Sequence, residues 1–256
     1  MARPTKPVLV AAGLVLVTGA GLLALLSNTS ETMSETPPTP RADELPAIRV
    51  AVGAGLRHVQ EASGYAFDLS GRDDASNLVV EDPVVVEYGA GPDDPLGFRL
   101  PPTRFVWIAQ RAGVVHSVTT TPQLQYADFD GAYRLAQEVA ATVSSAAWRR
   151  AGGEPTTEAG LRAFFADPET RETARRELGR WRAGGAELAL TVKRSLAAGS
   201  NRAQAAGADG DRYLVEVTVD DVALDTELAE KVVARRRAAG DEGTPLPLSV
   251  WLDEQD

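Results

Sequence analysis

Adjacent carboxylates are the most frequent arrangement in this sequence that could perform acid–base chemistry. Three pairs of neighbouring aspartates occur, Asp73-Asp74, Asp93-Asp94 and Asp220-Asp221. Two carboxylates can hydrolyse a glycosidic bond when burial keeps one of them protonated. With 36 acidic residues in the chain, however, adjacent pairs are also expected on solvated turns. A carboxylate-dependent glycan hydrolase is therefore an alternative and not the leading hypothesis.

Neither histidine completes a recognisable site. His58 and Glu61 have the three-residue spacing of two metal ligands on a helix, but no second histidine is near, so a solvent-exposed pair explains them more simply. His116 falls within a predicted strand, where a hydrogen-bonded sheet histidine is favoured over a catalytic base. The chain has no cysteine, and it lacks the Gly-x-Ser-x-Gly and Ser-x-x-Lys motifs of serine hydrolases. We predict no catalytic residue, no metal site and no cofactor.

One glycine-rich turn has part of the pattern of a phosphate-binding site. Gly53-Ala54-Gly55 follows Ile48–Val52, as in a strand that leads into a phosphate-binding turn. The third glycine and the later acidic residue of the dinucleotide pattern are missing. Chance is therefore the favoured explanation of this turn.

Negative charge is concentrated between residues 61 and 94, where nine acidic residues accompany a single arginine, Arg72. The whole chain is acidic too, with a net charge of −10, which argues against a role in binding nucleic acid. A negative surface attracts basic partners, although it also keeps a protein soluble. The candidate partner-binding residues are Asp73, Asp74, Glu81, Asp82, Glu87, Asp93 and Asp94. Aromatic residues of the kind that anchor protein interfaces lie nearby, although most are expected in the core: Tyr88, Phe98, Phe105 and Trp107.

An uncharged apolar segment, residues 8–26, lies near the beginning of the chain. As a helix it is about 28 Å long, enough to span a bilayer. Two basic residues precede it and two glutamates follow it, so the positive-inside rule places residues 1–7 in the cytoplasm. A cleaved secretory signal is the alternative, but its apolar core is shorter and small residues precede its cleavage site. We therefore predict an uncleaved single-pass anchor.

Residues 27–44 are rich in Ser, Thr and Pro, which predicts an extended tether. They lead to a domain at residues 45–256, which is expected to lie outside the membrane. The preference for Arg over Lys and the abundance of Ala and Gly are typical of high-GC bacteria. The predicted location is thus a bacterial cytoplasmic membrane, with the domain in the periplasm or at the cell exterior.

The predicted elements of this domain are runs of strands and runs of helices, which is typical of α+β folds with an antiparallel sheet. The clearest strands, Phe105–Ile108 and Val114–Thr120, form a hairpin around Arg111-Ala112-Gly113. A helix follows from its cap Asp128. The same hairpin–helix order returns at residues 186–239, which leaves an internal duplication open.

Weaker patterns predict the remaining elements. A strand broken by a bulge or edge position at Pro83 is expected at residues 78–88. In a helix from Asp167 to Trp181, arginines and glutamates at helical spacing predict a salt-bridged solvent face. The others are helices at Glu44–Ala62, from Thr157 and at Thr226–Ala239, strands at Ala186–Arg194 and Tyr213–Val219, and a closing strand at Leu246–Leu252. A subdivision of the domain near residues 122–125 or 152–156 stays open.

Together these patterns favour a membrane-tethered protein-binding domain without catalysis. In overall layout it looks like bacterial immunity or inhibitor proteins, which would occlude a basic toxin or enzyme outside the membrane. A structural or assembly component of an envelope complex is the second hypothesis, and the glycan hydrolase is the third. No pattern in the sequence determines the oligomeric state.

Overall fold

The computed structural model of the protein describes residues 42–152, 156–167, 175–195 and 212–254. All of them belong to one unit, Pro40–Asp256. The strands in these residues are β1 (Ala47–Val50), β2 (Ala75–Val80), β3 (Val85–Tyr88), β4 (Phe98–Arg99), β5 (Val106–Arg111), β6 (Val114–Thr120), β7 (Arg149–Arg150), β8 (Arg175–Ala183), β9 (Ala186–Ser195) and β10 (Arg212–Asp220). The helices are α1 (Leu56–Ala62), α2 (Phe129–Ser145), α3 (Glu158–Ala166), α4 (Val222–Ala238) and α5 (Ser249–Leu252).

No helix in the described ranges is long and apolar enough to cross a membrane. The predicted anchor, residues 8–26, and most of the predicted linker lie outside those ranges. The anchor, its orientation and the location of the domain therefore stay predictions. The same holds for the subdivision near residues 122–125 or 152–156.

A seven-stranded antiparallel sheet in the order β2-β5-β6-β10-β9-β8-β7 dominates the fold and confirms the predicted α+β class. The predicted hairpin, β5–β6, lies between the edge strand β2 and the central strand β10, and its turn residues Ala112 and Gly113 both have positive φ (54° and 74°). Such a turn matches the twist of the two strands that it joins. In β10, Tyr213, Val215 and Val217 are buried, so this face of the sheet lines the main core.

Two helices begin at the caps that the sequence predicts. The Asp128 side chain accepts a hydrogen bond from the Gly131 backbone N–H (2.8 Å) at the start of α2, and Thr157 accepts one from Gly160 (3.1 Å) at the start of α3. These bonds satisfy donors that a helix leaves free in its first turn. Helix α2 packs against β9 and β10, so its apolar face completes the main core.

The helix predicted at Glu44–Ala62 is wrong in its first half. Residues 47–50 form β1, which pairs in parallel with β3 in a second, three-stranded sheet, β1-β3-β4. Gly53 then adopts a positive φ of 88°, and α1 starts only at Leu56. Pairing with a distant strand thus overrides the helical spacing of the apolar residues.

The strand predicted around Pro83 is two strands that belong to different sheets. β2 pairs with β5 in the large sheet, whereas β3 pairs with β1 in the small one. Proline has no N–H to donate to a ladder, so the chain leaves one sheet at Pro83 and enters the other.

The helix predicted to reach Trp181 is also wrong where the structure describes it, because residues 175–183 form β8. Trp181 and Leu178 are buried in this strand, and Arg180 forms ion pairs with Glu177 and with Glu187 of the neighbouring β9. Arginines and glutamates at close spacing thus pair along and across strands here and not along a helix. Residues 168–174 lie outside the described ranges.

The closing strand predicted at Leu246–Leu252 is wrong as well. Residues 249–252 form the single turn α5, and within the described ranges the only strand-like contact of this segment is a bridge between Asp73 and Pro247. Trp251 of α5 is buried with Leu228 and Val232 of α4 and with Ala112 of the β5–β6 turn. This cluster is separate from the main core that holds α2. The two hairpin–helix units therefore pack differently, and their duplication stays a prediction.

A buried ion pair fixes this C-terminal region to the sheet. The Asp74 side chain is fully buried, and its Oδ2 accepts hydrogen bonds from Arg236 Nε (2.8 Å) and from the Leu246 backbone N–H (2.9 Å). Burial alone would raise the pKa of Asp74, but these hydrogen bonds outweigh it and hold the pKa below its ordinary value. The pair thus joins the beginning of β2 to the end of α4.

Replacing the cation of this pair should destabilise the fold strongly. Arg236→Met leaves the Asp74 carboxylate buried without a countercharge, so we expect a loss of about 3 to 5 kcal/mol in the free energy of unfolding. Arg237→Met is the matched control, because Arg237 is 67% exposed and pairs with Glu242 on the surface; it should cost less than about 1 kcal/mol. Urea unfolding of both variants measures the difference, and equal losses would contradict the assignment.

Acid should weaken the same contact. A carboxyl group whose pKa is lower in the folded chain than in the unfolded chain stabilises the fold at pH values above its unfolded pKa of about 3.9. This stabilisation is lost as the pH falls towards the pKa of the folded state. The free energy of unfolding should therefore fall more between pH 5 and pH 3 in the wild type than in Asp74→Asn. Parallel slopes in the two proteins would show that Asp74 does not contribute.

Candidate functional site

The structure does not bring the seven predicted partner-binding residues into one cluster. Asp73 precedes β2 and Glu81 follows it, and a strand of six residues separates its ends by about 20 Å. Asp82 and Asp93 lie beyond opposite ends of β3. The acidic stretch is continuous in the sequence but is divided in space.

Two of the seven carboxylates are occupied by arginines of the protein itself. Asp74 is fully buried against Arg236, so it cannot belong to a binding surface. Glu87 lies between Arg49 (2.7 Å) and Arg99 (3.3 Å). Four members are exposed, namely Asp73, Glu81, Asp82 and Asp93.

The seventh residue, Asp94, lines a cavity of about 460 Å³. The cavity is open to solvent and is lined by the loops that follow β1 and β3, by the β8–β9 turn and by the beginning of α4. Two further carboxylates line it, Asp221 and Glu227, and none of its lining residues is cationic. The other side chains of its wall are mainly apolar: Ala51, Val52, Tyr88, Ala90, Leu96, Ala183, Ala186, Ala223 and Leu224.

Backbone groups hold two of these carboxylates in place. Asp94 accepts hydrogen bonds from the backbone N–H groups of Ala90 (2.7 Å) and Leu96 (2.9 Å). Asp221 is the N-cap of α4 and accepts one from Leu224 (2.9 Å). A Cβ atom at Gly185 would lie 2.4 Å from Asp221 Oδ2, so the β8–β9 turn needs a glycine here. Both carboxylates are therefore oriented before any partner arrives.

Tyr88 separates this acidic cavity from a smaller one of about 250 Å³, lined by His58, Arg49 and Glu87. Its hydroxyl accepts a hydrogen bond from the Val52 backbone N–H (3.4 Å), and burial raises the pKa of Tyr88 to about 12. Tyr88 thus stays protonated at neutral pH and acts as a wall between the cavities.

Both cavities lie at the carboxyl ends of β1 and β3, the edge at which parallel strands commonly bind ligands. Gly53-Ala54-Gly55 does connect a strand to a helix there, as a phosphate turn would. Yet α1 has only seven residues, and Asp94 lies close by, so an anion would meet negative charge. The geometry does not support a phosphate site.

His116 lies in β6, as predicted, and connects this strand to α4. Its Nδ1 is 3.4 Å from Asp225 Oδ1, which also accepts a hydrogen bond from Arg111 Nε (2.9 Å). Burial lowers the pKa of His116 despite the attraction of Asp225, so the ring is neutral at pH 7. Among the described residues, no group of three His, Asp or Glu side chains could hold a metal ion.

Comparison with known proteins adds no relative: no family model, no curated protein and no solved structure matches this chain. Sequence reasoning missed Asp221 and Glu227 as lining residues. Asp221 could have been recognised as the N-cap residue of α4. The beginning of this helix was predicted at Thr226, so the cap was not identified. Glu227 carries no signal of its own, because its role arises from the neighbouring loops.

Asp221 can be tested as a cap separately from its charge. Asp221→Ala should lower the free energy of unfolding by about 1 kcal/mol, because it removes the side-chain acceptor for Leu224. Asp221→Asn keeps an acceptor and should stay within about 0.5 kcal/mol of the wild type. Thermal unfolding measures both, and an equal loss in the two variants would refute the capping role.

Proposed function

We propose that this chain is a membrane-tethered protein-binding domain without catalysis, whose acidic cavity receives a cationic side chain of a basic partner protein. The observation that carries the proposal is the lining of the cavity, which has three carboxylates and no cationic side chain. The net charge of −10 would add long-range attraction for such a partner. An immunity- or inhibitor-type protein, which occludes a basic toxin or enzyme, is the form of binding that suits a tethered domain.

The geometry supports an arginine or lysine as the inserted side chain. Asp94 and Asp221 are already oriented by backbone donors, so little reorganisation opposes binding. Apolar wall residues such as Val52 and Leu96 can contact the aliphatic stem of the side chain while the carboxylates accept its N–H groups. Partial exclusion of water strengthens these charge-assisted bonds relative to a flat surface.

Two of the carboxylates that the hydrolase hypothesis would use, Asp74 and Asp94, are not arranged as a catalytic acid would be. The pKa of Asp74 is held below its ordinary value, so this residue cannot serve as the protonated acid at neutral pH. Both oxygens of Asp94 accept backbone hydrogen bonds. The assembly hypothesis depends on the predicted anchor and stays an alternative.

Removal of two cavity charges tests the proposal. Full-length protein in lipid nanodiscs serves as bait for an envelope extract at low and high salt, and the captured partner is then titrated by calorimetry. We expect a basic partner that high salt releases, and Asp221→Asn/Glu227→Gln should weaken its binding about tenfold or more, because charge-assisted hydrogen bonds contribute about 1.5 to 3 kcal/mol each.

A control variant must lose the same charge elsewhere. Glu138 on α2 and Glu230 on α4 are not among the lining residues of the cavity, so Glu138→Gln/Glu230→Gln should change the affinity less than about threefold. If both double variants weaken binding equally, the effect is one of net charge and the cavity is not the site. Absence of any captured partner would also count against the proposal.

A further inference from the structure

The face of the large sheet that points away from the main core has two chemically different halves. On β8, β9 and β10 it carries ion pairs, such as Arg182 with Glu187 (2.8 Å) and Lys193 with Glu216. On β2, β5 and β6 the only charged residue at a corresponding position in the described ranges is Arg111, which pairs with Asp225 of α4 at the hairpin end. Six residues there form what we name the Trp107 platform: Asn77, Val79, Trp107, Ala109, Ser117 and Thr119.

The register of the strands places these six side chains side by side. Val79 pairs with Trp107, which pairs with Thr119, and in the next row Asn77 pairs with Ala109, which pairs with Ser117. Val79 and Trp107 are 49% and 43% exposed. A large aromatic ring thus lies open on a sheet, next to amide and hydroxyl groups that can each donate and accept hydrogen bonds.

We propose that the Trp107 platform binds a neutral oligosaccharide. A pyranose ring has an apolar C–H face that can pack on an indole, and its hydroxyls would bond to Asn77, Ser117 and Thr119. Neighbouring strands are about 4.8 Å apart and alternate residues along a strand about 6.7 Å apart, which is close to the dimensions of a sugar ring. In a chain of net charge −10, a patch of six uncharged residues matches an uncharged ligand.

The edge of the platform is not suited to a second copy of the chain that adds as a strand. Arg72 Nη1 donates to the backbone carbonyl of Asn77 in β2 (2.5 Å), and β2 is the edge strand of the sheet. A cation that occupies an edge carbonyl hinders the pairing of another strand. This leaves the flat side of the platform for a ligand.

Tryptophan fluorescence can report on this site alone. The other three tryptophans of the chain, Trp148, Trp181 and Trp251, are at most 5% exposed, so acrylamide should quench chiefly Trp107. Full-length protein is titrated in lipid nanodiscs, which avoid sugar-headed detergents, with cellotetraose and with N-acetylchitotetraose. We expect saturable protection of Trp107 from acrylamide by at least one of the two sugars.

Variants locate the binding. Asn77→Ala should weaken it about fivefold through the loss of a hydrogen bond, and Trp107→Ala, followed by calorimetry, should abolish it. Val222→Ala is the control, since Val222 is 72% exposed outside the platform, and it should leave the affinity unchanged. The proposal is overturned if neither sugar protects Trp107, or if Asn77→Ala and Trp107→Ala leave the affinity intact. It is also overturned if protection of Trp107 depends on the protein concentration in the absence of sugar.

Discussion

The buried carboxylate of Asp74 sets the constraint on which the arrangement of both candidate sites depends. A buried charge needs a countercharge and hydrogen-bond donors, and Asp74 obtains them from Arg236 and from the Leu246 backbone. Its own carbonyl accepts a hydrogen bond from Ala112 in the β5–β6 turn (2.7 Å). One residue thus joins β2, the β5–β6 hairpin, α4 and the C-terminal segment. The apolar cluster around Trp251 is small, so polar contacts help to position α4: Arg236 with Asp74 near its end, and Asp225 with Arg111 and His116 near its beginning.

The position of α4 links the two surfaces. Its first turns supply Asp221 and Glu227 to the acidic cavity, while Arg236 near its end binds Asp74 at the beginning of β2. The Trp107 platform begins on that same strand. The platform lies on the large sheet, whereas the cavity combines α4 and the β8–β9 turn with the loops that follow β1 and β3 of the smaller sheet. Each surface is therefore built on elements that the fold holds in place without a ligand. Such rigidity favours binding, since little conformational entropy is lost when a partner arrives.

Sequence patterns predicted the elements whose signals are local. The β5–β6 hairpin has a turn and two alternating strands within sixteen residues, and α2 and α3 carry their caps Asp128 and Thr157 beside them. The failures occurred where a distant partner decides the structure. β1 has apolar residues at helical spacing, yet it pairs with β3, which lies more than thirty residues further along the chain. The sequence of β8 has arginines and glutamates at the spacing of a charged helix. In the structure β8 instead pairs with β9, whose Glu187 binds Arg180 and Arg182.

The candidate sites were harder to predict than the elements, because charge counts do not give positions. Nine acidic residues between 61 and 94 suggested one surface, but two strands separate them in space. Asp74 is buried in an ion pair with Arg236 and is therefore not on the surface. The acidic cavity combines loops from three parts of the chain, which no single pattern contains. Trp107 did carry a signal: the alternation Val106-Trp107-Ile108 places it opposite two core residues, and therefore on the outer face.

The two surfaces also differ in how they should respond to the medium. Attraction between the cavity and a cation is electrostatic and is screened within about 8 Å at physiological ionic strength. Packing of an uncharged ring on Trp107 has no such dependence. A chain with both surfaces can therefore hold an uncharged ligand at constant strength while its affinity for a basic partner follows the ionic strength. This difference follows from where the charged groups lie, since three carboxylates line the cavity and the six residues of the platform are uncharged.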